Sequence, residues 1–547
     1  MSEKNQELGS IDTAISQALT PDELRLQEMG YKQELKRELN TLSVIGIAMS
    51  SLNPPLSIFP LLGSILTNGG PQGALIAYPS VFVLTVFTGL IMSEIQSAFP
   101  ISGGLYFWSA QLAGRKWAPL ASYFTGYLNF VGMVGINASV IYTAGQLVTA
   151  LLYLNGALST AVDVESMECK GIAVAVSFGV LLVSTLVNIL PGKQLHKIGL
   201  FFVVMNGIFW LLTLILPVAL TASHGKPIIP QVDLWGSFIN NVGYDSAAHM
   251  SEETANPAIA GPLAIMTSIL AAGIYGWVLL AVVLAIVPFE LYTSLGSFTS
   301  SVAVDVFYNN FGIQGANTVT ILLLILVFDV IISLQATQAR QAFAFARDGA
   351  LPFSSFWHTL STKAKLPIRA LGLVTVLDAL IILPALGSSV ALSAIVSIGT
   401  IGGYLTYMIP IFLRVVNSAD FKPGPFHLGR FSIPVAIIAL LWLTFGSIAL
   451  LLPTVGPALP GSNNSADVAA YFSTFNFAQV LPIYHTLPHS KLIFFFFDSS
   501  SFMIIAFLII AFGAWFIRVR KWFVGPHVID DQDSDVSFVD AIVVKSG

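Results

Sequence analysis

Four ionisable side chains stand close together within an otherwise mainly apolar part of the sequence. Asp245 and His249 are four residues apart, and Glu252 and Glu253 follow within the next turn. At this spacing the side chains would share one face of a helix. A carboxylate and an imidazole on one face have the chemistry to bind a proton or an ammonium group, so we expect Asp245 and His249 to handle one of these.

Each of these side chains also has a simpler interpretation. Asp245 could form a structural hydrogen bond to a neighbouring helix, and for Glu252 and Glu253 we favour solvation at the membrane interface. His249 and Glu252 have the spacing of a metal-ligand pair, but an isolated HxxE is common. We therefore expect no metal site.

A second unusual segment contains two adjacent prolines. Pro54 and Pro55 have no N–H to donate, and Asn53, which precedes a proline, is pushed out of helical geometry. Near the midplane of a membrane, the backbone groups freed at such a point can solvate a substrate where water is absent. The pattern predicts a helix break beside Ser50 and Ser51, with an ordinary proline kink as the alternative.

Two further carboxylates lie in apolar surroundings. Asp329 and Asp378 fall within the eighth and ninth predicted membrane helices, where a charge is costly unless it is paired or faces water. Each could couple transport to a proton, and hydrogen-bonded packing is the alternative for both.

The composition indicates the medium in which these residues lie. The chain has 547 residues, of which 55% are hydrophobic and 10% charged, and its mean hydropathy is +0.80. A water-soluble globule cannot bury that much apolar surface. The apolar runs have the length of membrane-spanning helices, and the short alternating strands of a β-barrel are missing. The sequence predicts an all-α integral membrane protein.

Several kinds of chemistry are not expected. Cys169 is the single cysteine, so neither an intrachain disulfide nor a cysteine-based metal cluster can form. The sequence contains no GxxxxGK[ST], HExxH or GxSxG motif, which removes Walker-type ATP coupling and the commonest membrane protease and hydrolase interpretations. We expect a protein that is not an enzyme, uses no cofactor and binds no nucleic acid.

Twelve apolar runs are long enough to cross a bilayer. The predicted helices are 42–66, 74–93, 120–154, 171–190, 198–220, 234–250, 263–287, 318–338, 370–386, 392–413, 432–453 and 492–517. With both termini cytoplasmic, 21 of the 24 lysines and arginines lie inside, leaving Lys170, Lys226 and Lys491 outside. This is the asymmetry that the positive-inside rule requires.

These helices divide the chain into four parts. We expect a solvated cytoplasmic tail over 1–41, a ten-helix core over 42–414, two last helices over 415–517 with an outer loop near 454–491, and a second cytoplasmic tail over 518–547. The tails contain many acidic residues, and the net charge is −5. Asn463 begins an Asn-Asn-Ser sequon in the outer loop and is a candidate for glycosylation.

Four motifs, in this order, carry a resemblance to a known family. They are Ser93–Trp108 (SEIQSAFPISGGLYFW), Gly243–Thr254 (GYDSAAHMSEET), Ala346–Pro352 (ARDGALP) and Gly424–Phe431 (GPFHLGRF). From about residue 41 to about 453 the chain resembles the amino acid/polyamine/organocation superfamily. Within it, the chain is most similar to the fungal permeases for choline, gamma-aminobutyrate (GABA) and amino acids.

The resemblance implies a LeuT-like core, in which helices one to five and six to ten form inverted repeats, followed by two additional helices. It also implies that the first and sixth helices are interrupted at the midplane and hold the solute between them. Backbone amides near the first break would bind a carboxylate, while carbonyls and a carboxylate near the second would bind an amine. The residues expected to bind substrate are Ser50, Ser51, Asn53, Asn241, Gly243, Tyr244 and Asp245.

The resemblance implies a secondary transporter for a small amine-bearing solute that works by alternating access. We expect proton coupling, with Asp245, His249 and Asp329 as candidates, and a location in the plasma membrane or, alternatively, the vacuolar membrane. A sensor that does not transport and a transporter of a specialised metabolite are the alternatives. Pro54-Pro55 departs from the family pattern, and the stretch Asn256 to Pro262 lacks the basic residue that is common after the acidic pair, so the solute does not follow from the resemblance. Residues 461–500 do not resemble the family's short last outer loop.

Overall fold

The computed structural model describes most of the membrane part of the chain. The described residues are 20–35, 39–67, 70–158, 166–190, 192–225, 249–250, 253–287, 299, 301–361, 365–386, 390–451 and ten positions between 513 and 526. Statements about structure below refer to these residues.

The described chain is helical, and its only β pairing is an isolated bridge between Leu39 and Thr254. The helices are α1 (Pro21–Glu28), α2 (Thr41–Ser51), α3 (Pro54–Ile58), α4 (Leu62–Thr67), α5 (Gly70–Ala98), α6 (Leu105–Leu154), α7 (Met167–Asn188), α8 (Gly192–Ser223), α9 (Pro257–Ile286), α10 (Val302–Arg347), α11 (Ser354–Trp357), α12 (Ile368–Ile382), α13 (Val390–Val416) and α14 (Ser432–Leu451).

Ten candidate spans in the described residues are long and apolar enough to cross a membrane. This confirms the all-α membrane fold class. The remaining two predicted helices, 234–250 and 492–517, lie almost entirely outside the described residues. The inverted-repeat relation stays a prediction.

The outer surface of the helix bundle is apolar, as a lipid-facing surface must be. Leu182 and Leu186 on α7 and Leu211 and Ile215 on α8 are all more than half exposed. Buried positions instead include many polar side chains, among them Asn129, Asn137 and Asn206. This arrangement suits a bundle whose solvent is lipid.

The predicted break in the first membrane helix is present. α2 begins at Asn40, whose side-chain oxygen accepts a hydrogen bond of 2.9 Å from the Ser43 amide. It ends at Ser51, and Asn53 has the non-helical dihedrals φ −48° and ψ 102° before α3 begins at Pro54. Because the two prolines cannot donate, the carbonyls four residues earlier lose their helical partners.

Two helices are much longer than the sequence pattern predicts. α6 and α10 each include a shorter helix joined to the membrane helix at a glycine, Gly114 with φ 70° and Gly312 with φ 66°. This left-handed backbone conformation favours glycine. α10 extends to Arg347, beyond the predicted end at 338.

Glycines allow close contact between α6 and its neighbours. A Cβ atom added at Gly132 would lie 3.3 Å from the Gly399 carbonyl oxygen of α13, and one added at Gly145 would lie 2.2 Å from the Ala173 carbonyl oxygen of α7. Small residues at such points let the backbones approach, as in other membrane bundles. α6 is therefore a central packing element.

Part of the N-terminal segment that we expected to be solvated is packed against the bundle. Leu26, Met29 and Leu35 are each at most 3% exposed, and the Arg25 guanidinium donates a hydrogen bond of 2.8 Å to the Ser97 carbonyl. The polar composition of the tail suggested solvent, but its few apolar residues are spaced to bury one face of the segment. The expectation of a fully solvated tail was wrong for residues 20–35.

Candidate functional site

The helix break faces two polar residues from other helices. Asn206 of α8 donates through Nδ2 to Asp329 Oδ2 of α10 at 2.5 Å and to Ser50 Oγ at 3.0 Å. Asn53 Nδ2 donates in turn to Asn206 Oδ1 at 2.9 Å. All four side chains are buried. One asparagine therefore joins both sides of the break to the Asp329 carboxylate.

Among the described residues, Asp329 has only neutral hydrogen-bond partners. Its hydrogen bonds come from Ser50 and Asn206, and it takes part in none of the ion pairs of the described chain. A carboxylate inside a membrane is costly unless a cation, a proton or water compensates its charge. The arrangement suits a group that binds and releases a proton or another monovalent cation.

Asp329 lines a cavity of about 60 Å³. The walls are the face of α2 that carries Ser43 and Ile47, the start of α8 around Phe202, and one face of α10. On α10 the lining residues run from Asp329 through Ile332, Ser333 and Ala336 to Arg340, a spacing that keeps them on one side of the helix. At a helical rise of about 1.5 Å per residue, Asp329 and Arg340 are about 16 Å apart along the axis.

A buried ion pair lies at the far end of this cavity. The Arg340 guanidinium donates through Nε to Glu253 Oε1 and through Nη2 to Glu253 Oε2, the latter at 2.8 Å. The Glu253 backbone is held as well, since its carbonyl accepts from the Leu39 amide at 2.9 Å. Our preference for interfacial solvation was wrong for Glu253, because the longer α10 carries a cation to it.

His249 lies in a separate environment. Its Nε2 is 3.1 Å from Asn129 Nδ2 of α6, and its Nδ1 is 3.3 Å from the Ser102 carbonyl. A carbonyl can only accept and the Asn129 amide group donates, so this arrangement is satisfied by a neutral imidazole that carries its hydrogen on Nδ1. The structure thus places His249 and Asp329, two of the proposed coupling residues, in different networks.

The other predicted site residues divide into two groups. Ser51 is half-buried and donates through Oγ to the Ile47 carbonyl at 3.0 Å within its own helix. Outside the described residues lie Asn241, Gly243, Tyr244, Asp245, Glu252 and Asn463. Their roles stay predictions.

Sequence reasoning missed Asn206 and Arg340. Asn206 is a single amide in the apolar run 198–220, and an uncompensated polar residue in such a run is a signal that could have been used. Arg340 was assigned to a cytoplasmic loop because the apolar pattern of its helix ends near 338. Only the tertiary structure shows that α10 continues and brings this side chain to Glu253.

Hydrogen bonds connect three of the four motifs in the structure. Glu94, in the first motif, accepts hydrogen bonds from Arg414 Nη2 at 3.1 Å, Ser432 Oγ at 2.7 Å and the Leu428 amide at 3.1 Å. Asp348, in the third motif, accepts from Tyr106 Oη at 2.9 Å. Three of the motifs therefore meet through these contacts, which hold helix ends together.

A helix broken at buried polar residues, set in a bundle of membrane-spanning helices and adjoining a cavity, defines a protein of the membrane transporter class. The family model described as "Amino acid permease" matches residues 39–475. The chain belongs to this amino acid permease family, within the amino acid/polyamine/organocation superfamily.

Individual relatives agree with this assignment. The amino-acid permease BAT1 homolog of Oryza sativa subsp. japonica is 34% identical over 474 residues, covering 81% of this chain and 90% of that protein. The amino-acid permease BAT1 of Arabidopsis thaliana is 32% identical, covering 84% and 93%. An uncharacterized amino-acid permease of Schizosaccharomyces pombe is 26% identical, covering 95% and 90%.

Among solved structures, MhsT in complex with L-phenylalanine aligns at 13% identity with a TM-score of 0.48, covering 75% of this chain and 97% of that one.

Proposed function

We propose that this permease is a secondary active transporter that carries a small amine-bearing solute by alternating access, driven by a proton that binds at Asp329. The observation that carries the proposal is the position of this carboxylate, which lines the cavity and is hydrogen-bonded to the broken helix through Ser50 and Asn206. Family membership supports an amino acid as the solute, and GABA and choline are narrower candidates.

Proton binding at Asp329 would act on the helix contacts. An ionised carboxylate accepts stronger hydrogen bonds than a neutral acid. Protonation would therefore weaken the bonds from Ser50 and Asn206 that join α2 and α8 to α10. Loosening of these helices is the kind of movement that opening a path to one side of the membrane requires.

The solute would lie between the two predicted helix breaks. Amides beside Ser50, Ser51 and Asn53 would bind a carboxylate, while Asp245 and the carbonyls of 241–244 would bind the amine. A quaternary ammonium could instead stack on the Tyr244 ring, an interaction worth about 2 kcal/mol when desolvated. We further propose cytoplasmic termini, in accordance with the charge asymmetry of the loops. We also propose a location in the plasma membrane.

Uptake measurements test this proposal. The chain is produced in a yeast that lacks its own choline and GABA permeases, and uptake of labelled choline, GABA and neutral amino acids is measured at pH 5 and pH 7.5. We expect one solute class to accumulate, more strongly at pH 5. Asp329→Asn should reach the membrane but lose accumulation against a gradient.

Two results would contradict the proposal in different ways. Accumulation by Asp329→Asn with unchanged pH dependence would remove the coupling role of Asp329. Binding of labelled solute by the purified wild-type chain without any uptake would favour a sensor that does not transport.

A further inference from the structure

A second carboxylate is buried where α6, α10 and α12 meet, away from the residues that line the cavity. Asp378 of α12, Asn137 of α6 and Gln338 of α10 are all 0% exposed. Asn137 Nδ2 donates to Asp378 Oδ2 at 2.7 Å and to Gln338 Oε1 at 3.2 Å. Gln338 Nε2 donates to the Met133 carbonyl at 2.7 Å. This cluster therefore joins three helices.

The hydrogen bonds of this cluster leave two oxygens without a donor. Both hydrogens of the Asn137 amide are used, yet Asp378 Oδ1 and Asn137 Oδ1 have no partner among the described residues. Exchanging the Asn137 nitrogen and oxygen would not help, because an oxygen would then face the two acceptors Asp378 Oδ2 and Gln338 Oε1. The cluster is short of one hydrogen.

Among the described residues, no charged group compensates Asp378. Its partners on α6 and α10 are amides, and one turn earlier on α12 the Thr375 hydroxyl bonds to Thr185 and Gln335, which are also neutral. The ion pairs of the described residues involve other carboxylates. A bare carboxylate whose only donors are the neutral amides of Asn137 and Gln338 is costly in such a place.

We propose that Asp378 is a protonated carboxylic acid that keeps its proton throughout the transport cycle and forms a cyclic acid–amide pair with Asn137. The hydrogen on Asp378 Oδ1 points to Asn137 Oδ1, while the Asn137 amide donates to Asp378 Oδ2. One proton satisfies both orphaned oxygens and removes the charge. Asp378 is thus a positioning residue that clamps α6, α10 and α12, and the proposal does not depend on the role of Asp329.

Infrared spectroscopy of the purified full-length chain in lipid nanodiscs tests the protonation state directly. A protonated carboxylic acid has its own carbonyl stretch, which shifts in D₂O. We expect such a band to persist from pH 5 to pH 9, to disappear in Asp378→Asn and to remain in Asp329→Asn. In Asn137→Leu the band should stay but move to higher frequency, since the acid loses its amide partner.

If neither Asp378→Asn nor Asn137→Leu alters the bands of protonated acids, Asp378 is an ionised carboxylate compensated by water or a cation and the proposal is overturned.

Transport provides a second, independent test. Asp378→Asn offers one N–H and one carbonyl to Asn137 in the positions of the neutral acid, so it should keep wild-type uptake and wild-type pH dependence. Asp378→Leu cannot form the pair and should reduce the amount of protein at the membrane at least severalfold. Normal surface expression of Asp378→Asn with loss of its acid stimulation would mean that Asp378 releases its proton during transport, which overturns the proposal. If Asp378→Asn fails to fold, the infrared band of wild type and its shift in Asn137→Leu still test whether Asp378 is protonated.

Discussion

The two buried carboxylates of this permease, Asp329 and Asp378, differ in their surroundings more than in their sequence context. Both lie in apolar helices and both accept a hydrogen bond from an asparagine, Asn206 or Asn137. Asp329 lines a cavity next to the broken helix, whereas Asp378 is sealed among α6, α10 and α12. A buried acid can thus serve movement or packing, and access to a cavity separates the two roles.

The close contact between α6 and α7 should tolerate little added side-chain volume. Gly145→Ala would place a Cβ 2.2 Å from the Ala173 carbonyl oxygen and 2.6 Å from Ser177 Oγ, and the backbone of α7 cannot yield cheaply. We expect a loss of about 3 kcal/mol in stability, measured as a lower thermal unfolding temperature in detergent. Gly179→Ala, on the neighbouring helix α7, is the matched control, since nothing lies within 4 Å of its added Cβ. Equal stability of the two variants would contradict the close packing of α6 and α7.

The buried ion pair at the end of the cavity should show an effect at least as large. Arg340→Ala leaves the Glu253 carboxylate buried and unpaired, which costs about 3–5 kcal/mol when one partner of such a pair is removed. We expect both thermal stability and uptake to fall. Arg340→Ala combined with Glu253→Ala removes both charges and should recover part of the stability. A double variant no better than the single one would show that the ion pair is not the source of the loss.

The two asparagines allow the functional comparison to be sharpened. Asn206→Ala and Asn137→Ala each remove a buried donor, at a cost of about 1–3 kcal/mol. We expect both to lower the unfolding temperature, but only Asn206→Ala to change the ratio of uptake at pH 5 and pH 7.5. A changed ratio in Asn137→Ala instead would reverse the roles that we give to the two networks.

The smallest effect is expected where the N-terminal segment meets the loop after α11. His358 Nε2 donates to Glu34 Oε2 at 3.0 Å, and this hydrogen bond lowers the pKa of Glu34 below its usual 4.5. A depressed carboxyl pKa contributes stability above the unfolded value and loses it as the pH falls through the folded value. Both side chains are 31% exposed, so the contribution is at most about 1 kcal/mol.

Glu34→Gln tests that contact. The variant should unfold at a slightly lower temperature than wild type at pH 7, and the difference should shrink as the pH falls below 4.5 and through the lowered pKa of Glu34. A difference that persists unchanged in acid would rule out the carboxylate as its source.

Composition and proline positions were enough for much of the fold. Apolar runs of this length and number cannot all be buried in a water-soluble protein. The membrane class and the ten observed spans therefore followed from local sequence. The break at Asn53 followed too, because two prolines remove helical donors whatever surrounds them. The substrate-binding role of Ser50 and Asn53 beside this break stays a prediction.

Contacts between distant residues were decided only by the tertiary structure. Hydropathy is a local average, so it predicted neither that α10 continues to Arg347 nor that Arg340 meets Glu253. The pairing of Asn206 with Asp329 and of Asn137 with Asp378 joins residues more than one hundred positions apart. The sequence by itself determined that carboxylates lie inside the membrane, while packing alone decided which one lines a cavity and which one is sealed, because burial depends on the neighbours that the fold supplies.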